Sequence, residues 1–410
     1  FISFVGAGML GMPYAFSRAG WFLGATTLCA VSAANVYAML LLVQTRKKLQ
    51  QRSSSNRHPP LQLRGYGDVG YAVMGPTGGK FVNLCLVISQ VGFATSYIIF
   101  IAANLQSIIS TLSRGIICYA CVPLLALLVQ VTSMKTLSPF SLVADVANIS
   151  GLIAVMVQDY KSFDHEPITM VNMNSFMYVT AVSLYSLEGV GLVLPLESSC
   201  IDRNGFPKLL TKCLIGITTL MCVFGISGYV AFGSHTMAPI TLNLNGGWSA
   251  FVKVALCVAL YLTYPVMMFP VNEVLEEMFL TKQQQPSLSS DVTAISTLKG
   301  DDSNSNGHSS STNHEIHQQH QQEPARIFRT IVVLTSVTVA YTIPDFGKFL
   351  GLVGSSICTI LGFILPCYLH TVVFGWDELR WWEVGLNAFL ICFGVVFGII
   401  GTWQSFCELF

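Results

Sequence analysis

Apolar residues come in long runs along this chain, and the charged residues gather between them. A helix needs about 20 mostly apolar residues to cross a hydrocarbon core. Eleven segments read as such spans, near 1–16, 20–45, 80–110, 114–131, 140–157, 174–198, 208–233, 246–279, 326–343, 346–371 and 382–405. The chain opens on Phe1 inside the first run, with no basic region or cleavage motif ahead of it, and reads as starting within its first span. The pattern predicts an all-α integral membrane protein with one transmembrane domain over 1–405.

Two polar stretches interrupt the runs. The first is basic, carries Ser53-Ser54-Ser55 and Pro59-Pro60, and is predicted as a loop over 46–79. The second, 281–324, is rich in Ser, Gln, Asn and His without an apolar period, and is predicted to be disordered. Charge tests the span count. With the N-terminus in the cytoplasm, 16 of the 21 Lys and Arg fall in cytoplasmic loops, both polar stretches among them, and 5 on the other face. That segregation follows the positive-inside rule.

Composition removes other classes. The chain is 52% hydrophobic and 10% charged, whereas soluble domains carry about 25% charged residues. Net charge is zero, so there is no footprint for nucleic acid. The 12 cysteines lie in apolar stretches, unlike a secreted disulfide framework. Cys118 and Cys121 form a CxxC inside an apolar run, where redox chemistry is not expected. No Walker A, G-x-S-x-G, H-E-x-x-H or dinucleotide fingerprint occurs. The reading is a non-enzyme with neither cofactor nor metal, embedded in a lipid bilayer.

The candidate chemistry lies where helices must break. Val5-Gly6-Ala7-Gly8-Met9-Leu10-Gly11-Met12-Pro13 interrupts the first span, and Tyr185-Ser186-Leu187-Glu188-Gly189-Val190-Gly191 leads to Pro195 in the sixth. Lipid cannot satisfy the freed backbone groups, so such breaks survive only where protein or water covers them. Five spans begin with each break, which points to a five-plus-five inverted repeat with a binding site at broken helices 1 and 6. A half-helix starting after Gly8 suits a carboxylate, held by the backbone of Gly6, Ala7, Gly8 and Met9. Carbonyls near Ser186, Leu187 and Gly189 suit an ammonium. A zwitterion satisfies both; close helix packing is the competing role for these glycines.

Glu188 is the one carboxylate at a break. It could carry a proton, cap the freed N–H groups or touch substrate. Asp145 in the fifth span could relay a proton or serve packing. Glu197 is expected to pair at the surface with Arg203 or Lys208. Gln90, Tyr97 and Asn104 recur every seven residues on one face of the third span, as pathway lining or as helix glue. Tyr185 and Tyr264, the latter beside Thr263 and Pro265, are side-chain candidates for selectivity and gating. Gly394, Gly398 and Gly401 read as packing positions.

These motifs resemble the amino acid/auxin permease family. The string from Val5 to Phe16 with Ala19-Gly20-Trp21 resembles its opening signature. Ser89-Gln90-Val91-Gly92-Phe93 with Tyr97, Glu188-Gly189 leading to Leu194-Pro195-Leu196-Glu197, and Leu262-Thr263-Tyr264-Pro265 resemble its third-, sixth- and eighth-span motifs in turn. Ile343-Pro344-Asp345-Phe346-Gly347 and Phe363-Ile364-Leu365-Pro366 complete the likeness, which covers nearly the whole chain except 281–324. The pattern is most similar to the plant vacuolar branch. The resemblance implies a LeuT-like fold and proton-coupled export of neutral amino acids from vacuole to cytosol. Sodium coupling, which needs an oxygen cage from spans one and eight, and a nutrient sensor signalling through its loops stay open.

Overall fold

The computed structural model describes residues 6–55, 63–131, 134–161, 168–280 and 309–409. Among them the chain is helical, without a strand. Where water is absent only intrahelical bonds satisfy the backbone, so the apolar runs become helices. In chain order these are α1 (Ala7–Ala19), α2 (Trp21–Ser55), α3 (Tyr66–Ile108), α4 (Arg114–Ala120), α5 (Val122–Leu128), α6 (Met134–Lys161) and α7 (Phe176–Ser186). There follow α8 (Val190–Ser199), α9 (Phe206–Phe232), α10 (Gly247–Leu280), α11 (Ser309–Thr342), α12 (Phe346–Val353), α13 (Leu365–Glu378) and α14 (Trp381–Leu409). Two π-helical turns, Gly354–Cys358 and Ile360–Ile364, join α12 to α13.

Eight described helical stretches are long and apolar enough to cross a membrane, with α7–α8 (Met173–Ser199) and α12–α13 (Phe346–Glu378) each counted as one. Arg114–Leu128 and Leu142–Gln158 are apolar but shorter, and α1 has 13 residues. Windows of apolar sequence therefore outnumber full-length helices: a window registers composition, whereas a crossing also needs continuous helix.

The polar stretches differ from a loop reading. Nothing breaks the helix between Gln44 and Ser53, so α2 continues past its apolar part as far as Ser55. Residues 66–74 form a helix that doubles back at Gly75, whose φ of +73° suits glycine, just before Pro76. The returning turns pack so closely that a Cβ on Gly79 would lie 3.4 Å from Gly67 O. Of the tract 281–324, residues 281–308 lie outside the described residues, and from Ser309 the backbone runs helically into α11.

α1 and α7 sit at the centre. α1 buries ten residues, and α7 is buried from Tyr178 to Ser186. Gly20 lets α1 turn into α2: its φ is +90°, and a Cβ there would lie 2.5 Å from Met170 O. α14 lies outside, exposing Phe389, Ile399 and Trp403 as a lipid-facing surface does. Gly394 and Gly401 let it approach the α12–α13 connection, where a Cβ would meet Ile364 at 2.8 Å and Ser355 at 3.1 Å.

Ion pairs join helix ends. Arg18 of α1 meets Glu408 of α14 at 3.1 Å, and Lys48 of α2 meets Glu378 of α13 at 2.8 Å. Glu197 is fully buried and pairs with Arg46, with Lys47 Nζ at 3.7 Å. This corrects the expectation of a surface pair with Arg203 or Lys208. α8 lies against α2, so its inward face meets a cation distant in sequence.

Candidate functional site

Three helix ends converge at the centre. α1 starts at Ala7; α7 ends at Ser186, and α8 starts at Val190 after the non-helical Leu187–Gly189. Small residues make the meeting possible. A Cβ on Gly8 would lie 2.5 Å from Ser186 Oγ and 2.9 Å from Ser186 Cα, so only glycine fits. A Cβ on Gly6 would come within 3.2 Å of Tyr97 Oη.

The helix ends enclose a cavity of about 40 Å³. Gly6, Ala7 and Gly8 form one wall, and Tyr185, Ser186, Glu188 and Gly189 face it. α3 contributes Gln90, Phe93 and Tyr97. The first N–H groups of α1 have no intrahelical partner and carry the positive end of its dipole. Tyr185 is held by a hydroxyl contact with Ser96 at 2.5 Å and by edge-to-face packing on Phe93, with ring centroids 4.9 Å apart. Ser186 Oγ donates back to Val182 O at 2.7 Å. Among the described residues the lining includes one carboxylate, Glu188, and no cation.

Glu188 occupies the break itself. The Val190 N–H at the start of α8 interacts with its carboxylate. A Cβ on Gly362 would lie 3.6 Å from Glu188 Oε2 and 3.8 Å from Asn35 Oδ1. Asn35 Nδ2 donates to Leu187 O at 2.5 Å, while Asn35 Oδ1 is buried without a partner among the described residues. Asn35 thus braces the break from α2 and keeps a spare acceptor on the side of Glu188.

Other expected site residues lie elsewhere. Met9 is buried in the core and lines no part of the cavity. Leu187 is buried, and its carbonyl is taken by Asn35. Tyr264 is buried between α10 and α11, its hydroxyl 2.5 Å from Ser336 Oγ; Met267 is the α10 residue at the cavity. Asn104 is buried and donates to Phe100 O at 2.9 Å. Asp145 belongs to α6 by its backbone, but its side chain lies outside the described residues. Phe93, Gly191, Leu192 and Met267 line the cavity without having been singled out. Phe93 falls between Gln90 and Tyr97 at helical spacing, so period alone could have found it. Met267 carries no such signal.

The family described as "Transmembrane amino acid transporter protein" matches residues 2–407. "Amino acid transporter AVT3B" of Arabidopsis thaliana is 34% identical over 429 residues, covering 100% of this chain and 92% of that protein. "Vacuolar amino acid transporter 4" of Saccharomyces cerevisiae is 25% identical, covering 98% of this chain and 56% of the yeast protein. Among solved structures, a nucleobase-cation-symport-1 family transporter in a closed conformation has a TM-score of 0.45 at 13% identity, covering 98% of this chain and 92% of that one. These relatives are transporters rather than enzymes. With the start of α1 and the α7–α8 break around a central cavity and a family match along nearly its whole length, the chain belongs to the transmembrane amino acid transporter protein family.

Proposed function

We propose that this multi-pass membrane protein moves neutral amino acids by alternating access, coupled to protons, from the vacuole lumen to the cytosol. The observation that carries the substrate class is the cavity where α1 starts and α7 ends, with Glu188 as the carboxylate and no lining cation among the described residues. A substrate carboxylate meets the free N–H groups of Ala7 and Gly8, and the ammonium lies towards Ser186 and Glu188. An acidic side chain would find no positive partner.

Eleven crossings follow if α1, Arg114–Leu128 and Leu142–Gln158 join the eight long helices. α1 and the α7–α8 pair then hold equivalent places in a five-plus-five inverted repeat. Thr263, which a sodium cage would draw from α10, is bonded to Ala259 O at 2.8 Å and is absent from the cavity lining. That favours the proton. The name of the yeast relative supports a vacuolar setting.

The test is flux of labelled amino acids into liposomes carrying the full chain under an imposed pH gradient, with and without sodium. Gradient-driven uptake of alanine without sodium, and little uptake of glutamate, is expected. Uptake only with sodium would overturn the coupling, and preference for glutamate would overturn the substrate class.

A further inference from the structure

A second cavity lies beyond the first. It is a cleft of about 610 Å³ bordered by Tyr14, Ser107, Arg114, Met237, Asp345 and Phe346, among others. Two helices independently fix its place. Along α1, Gly8 lines the central cavity and Tyr14 the cleft. Between them a Cβ on Gly11 would lie 2.5 Å from Leu350 and 3.6 Å from Phe346. Along α3, Tyr97 lines the cavity and Ala103 the cleft. Between these, Phe100 packs edge-on against Phe346, with ring centroids 5.9 Å apart. Six helical residues rise about 9 Å. One apolar layer of Phe100, Phe346 and Leu350 therefore separates two stacked chambers.

The outer chamber contains both signs of charge. Arg114 Nε and Nη2 are buried and make no hydrogen bond among the described residues. The Cys118 thiol beside Arg114 is a weak acceptor and cannot satisfy a guanidinium. Asp345 caps α12, its Oδ1 accepting from the Lys348 N–H at 3.0 Å, and it too borders the cleft. Arg114 is half-buried and feels the Asp345 carboxylate, but its two buried guanidinium nitrogens lack a hydrogen bond; an arriving carboxylate relieves that cost with a paired geometry the guanidinium fork favours.

We propose that this cleft is an outer binding site for an α-amino acid zwitterion, Arg114 taking the carboxylate and Asp345 the ammonium, loaded before the Phe100–Phe346 layer opens to the central cavity. The proposal rests on the transport reading for its ligand class. The cleft opens on the face opposite the Lys- and Arg-rich loops in the topology proposed above.

The test measures initial uptake of labelled alanine into liposomes from each face separately, for wild type, Arg114→Gln, Arg114→Lys and Asp345→Asn. Asparagine retains the α12 cap while losing the charge. Arg114→Gln is expected to raise KM about ten-fold from the cleft face and not from the other, with Arg114→Lys recovering part of the loss. Asp345→Asn should show the same one-sided change. Equal changes from both faces, or none, would overturn the outer site. If the wild type moves no amino acid, the transport reading fails by itself. Equilibrium binding of labelled alanine then decides the cleft: loss of a weaker binding component in Arg114→Gln upholds it, and identical isotherms reject it.

Discussion

Glu188 and Gly8 carry opposite lessons at the scale of single residues. Gly8 is legible in sequence because a glycine inside a membrane helix must have a reason, and here Ser186 takes the space of its missing side chain. Gly8→Ala should cost about 1–3 kcal/mol by overpacking and lower alanine flux at least ten-fold. Adding Ser186→Gly should recover part of both, read by thermal unfolding and liposome flux. Glu188 is visible as a carboxylate at a break, but its roles separate only in the structure. Its carboxylate interacts with the Val190 N–H, and the carbonyl of glutamine can do so as well. If Glu188 carries the proton, Glu188→Gln should retain alanine exchange and lose gradient-driven accumulation. Unchanged accumulation would leave it as a cap. Asn35 escaped a reading that weighed polar residues mainly at breaks. It lies mid-helix in α2 and acts on Leu187, 152 residues away.

The elements show where local sequence misleads. Glu197 lies close in sequence to Arg203 and Lys208, yet its buried partner is Arg46, 151 residues earlier. Chain proximity cannot report that α8 packs on α2. The guanidinium also donates to Leu194 O at 3.1 Å, so one side chain ties down the end of α8. Arg46→Ala leaves the buried Glu197 carboxylate with only Lys47 at 3.7 Å and should cost about 3 kcal/mol, whereas Arg46→Met with Glu197→Leu should come close to wild type or exceed it. Thermal unfolding in detergent distinguishes them. The helical turn 66–74 was read as loop for a related reason. Its pairing with residues 77–82 depends on a reversal at Gly75, and hydropathy registers no reversal. Long apolar helices such as α9 and α14 were legible because lipid leaves the backbone no alternative.

Over the whole molecule, the start of α1 and the α7–α8 break sit at the centre of a helical shell, with two stacked chambers separated by one apolar layer. The second break was visible in sequence as glycines around a carboxylate, whereas the break expected over Gly6–Pro13 is continuous helix from Ala7, where Gly8 and Gly11 serve close packing. Their meeting was inferred from repeat position, and the structure brings Gly6–Gly8 against Ser186–Gly189 around one cavity. Tyr264 shows the limit of that inference: a kink beside a proline looks the same in sequence whether it faces substrate or, as here, Ser336. The most direct measurement is equilibrium binding of labelled alanine to the purified chain, competed by unlabelled alanine, alaninamide and lactate. Alaninamide lacks the carboxylate and lactate the ammonium. A site built from the α1 N-terminus and the α7 end should be emptied by alanine, resist both analogues by about ten-fold or more, and bind weakly in Gly8→Ala. Alaninamide or lactate competing as well as alanine would contradict a zwitterion held between the start of α1 and the end of α7.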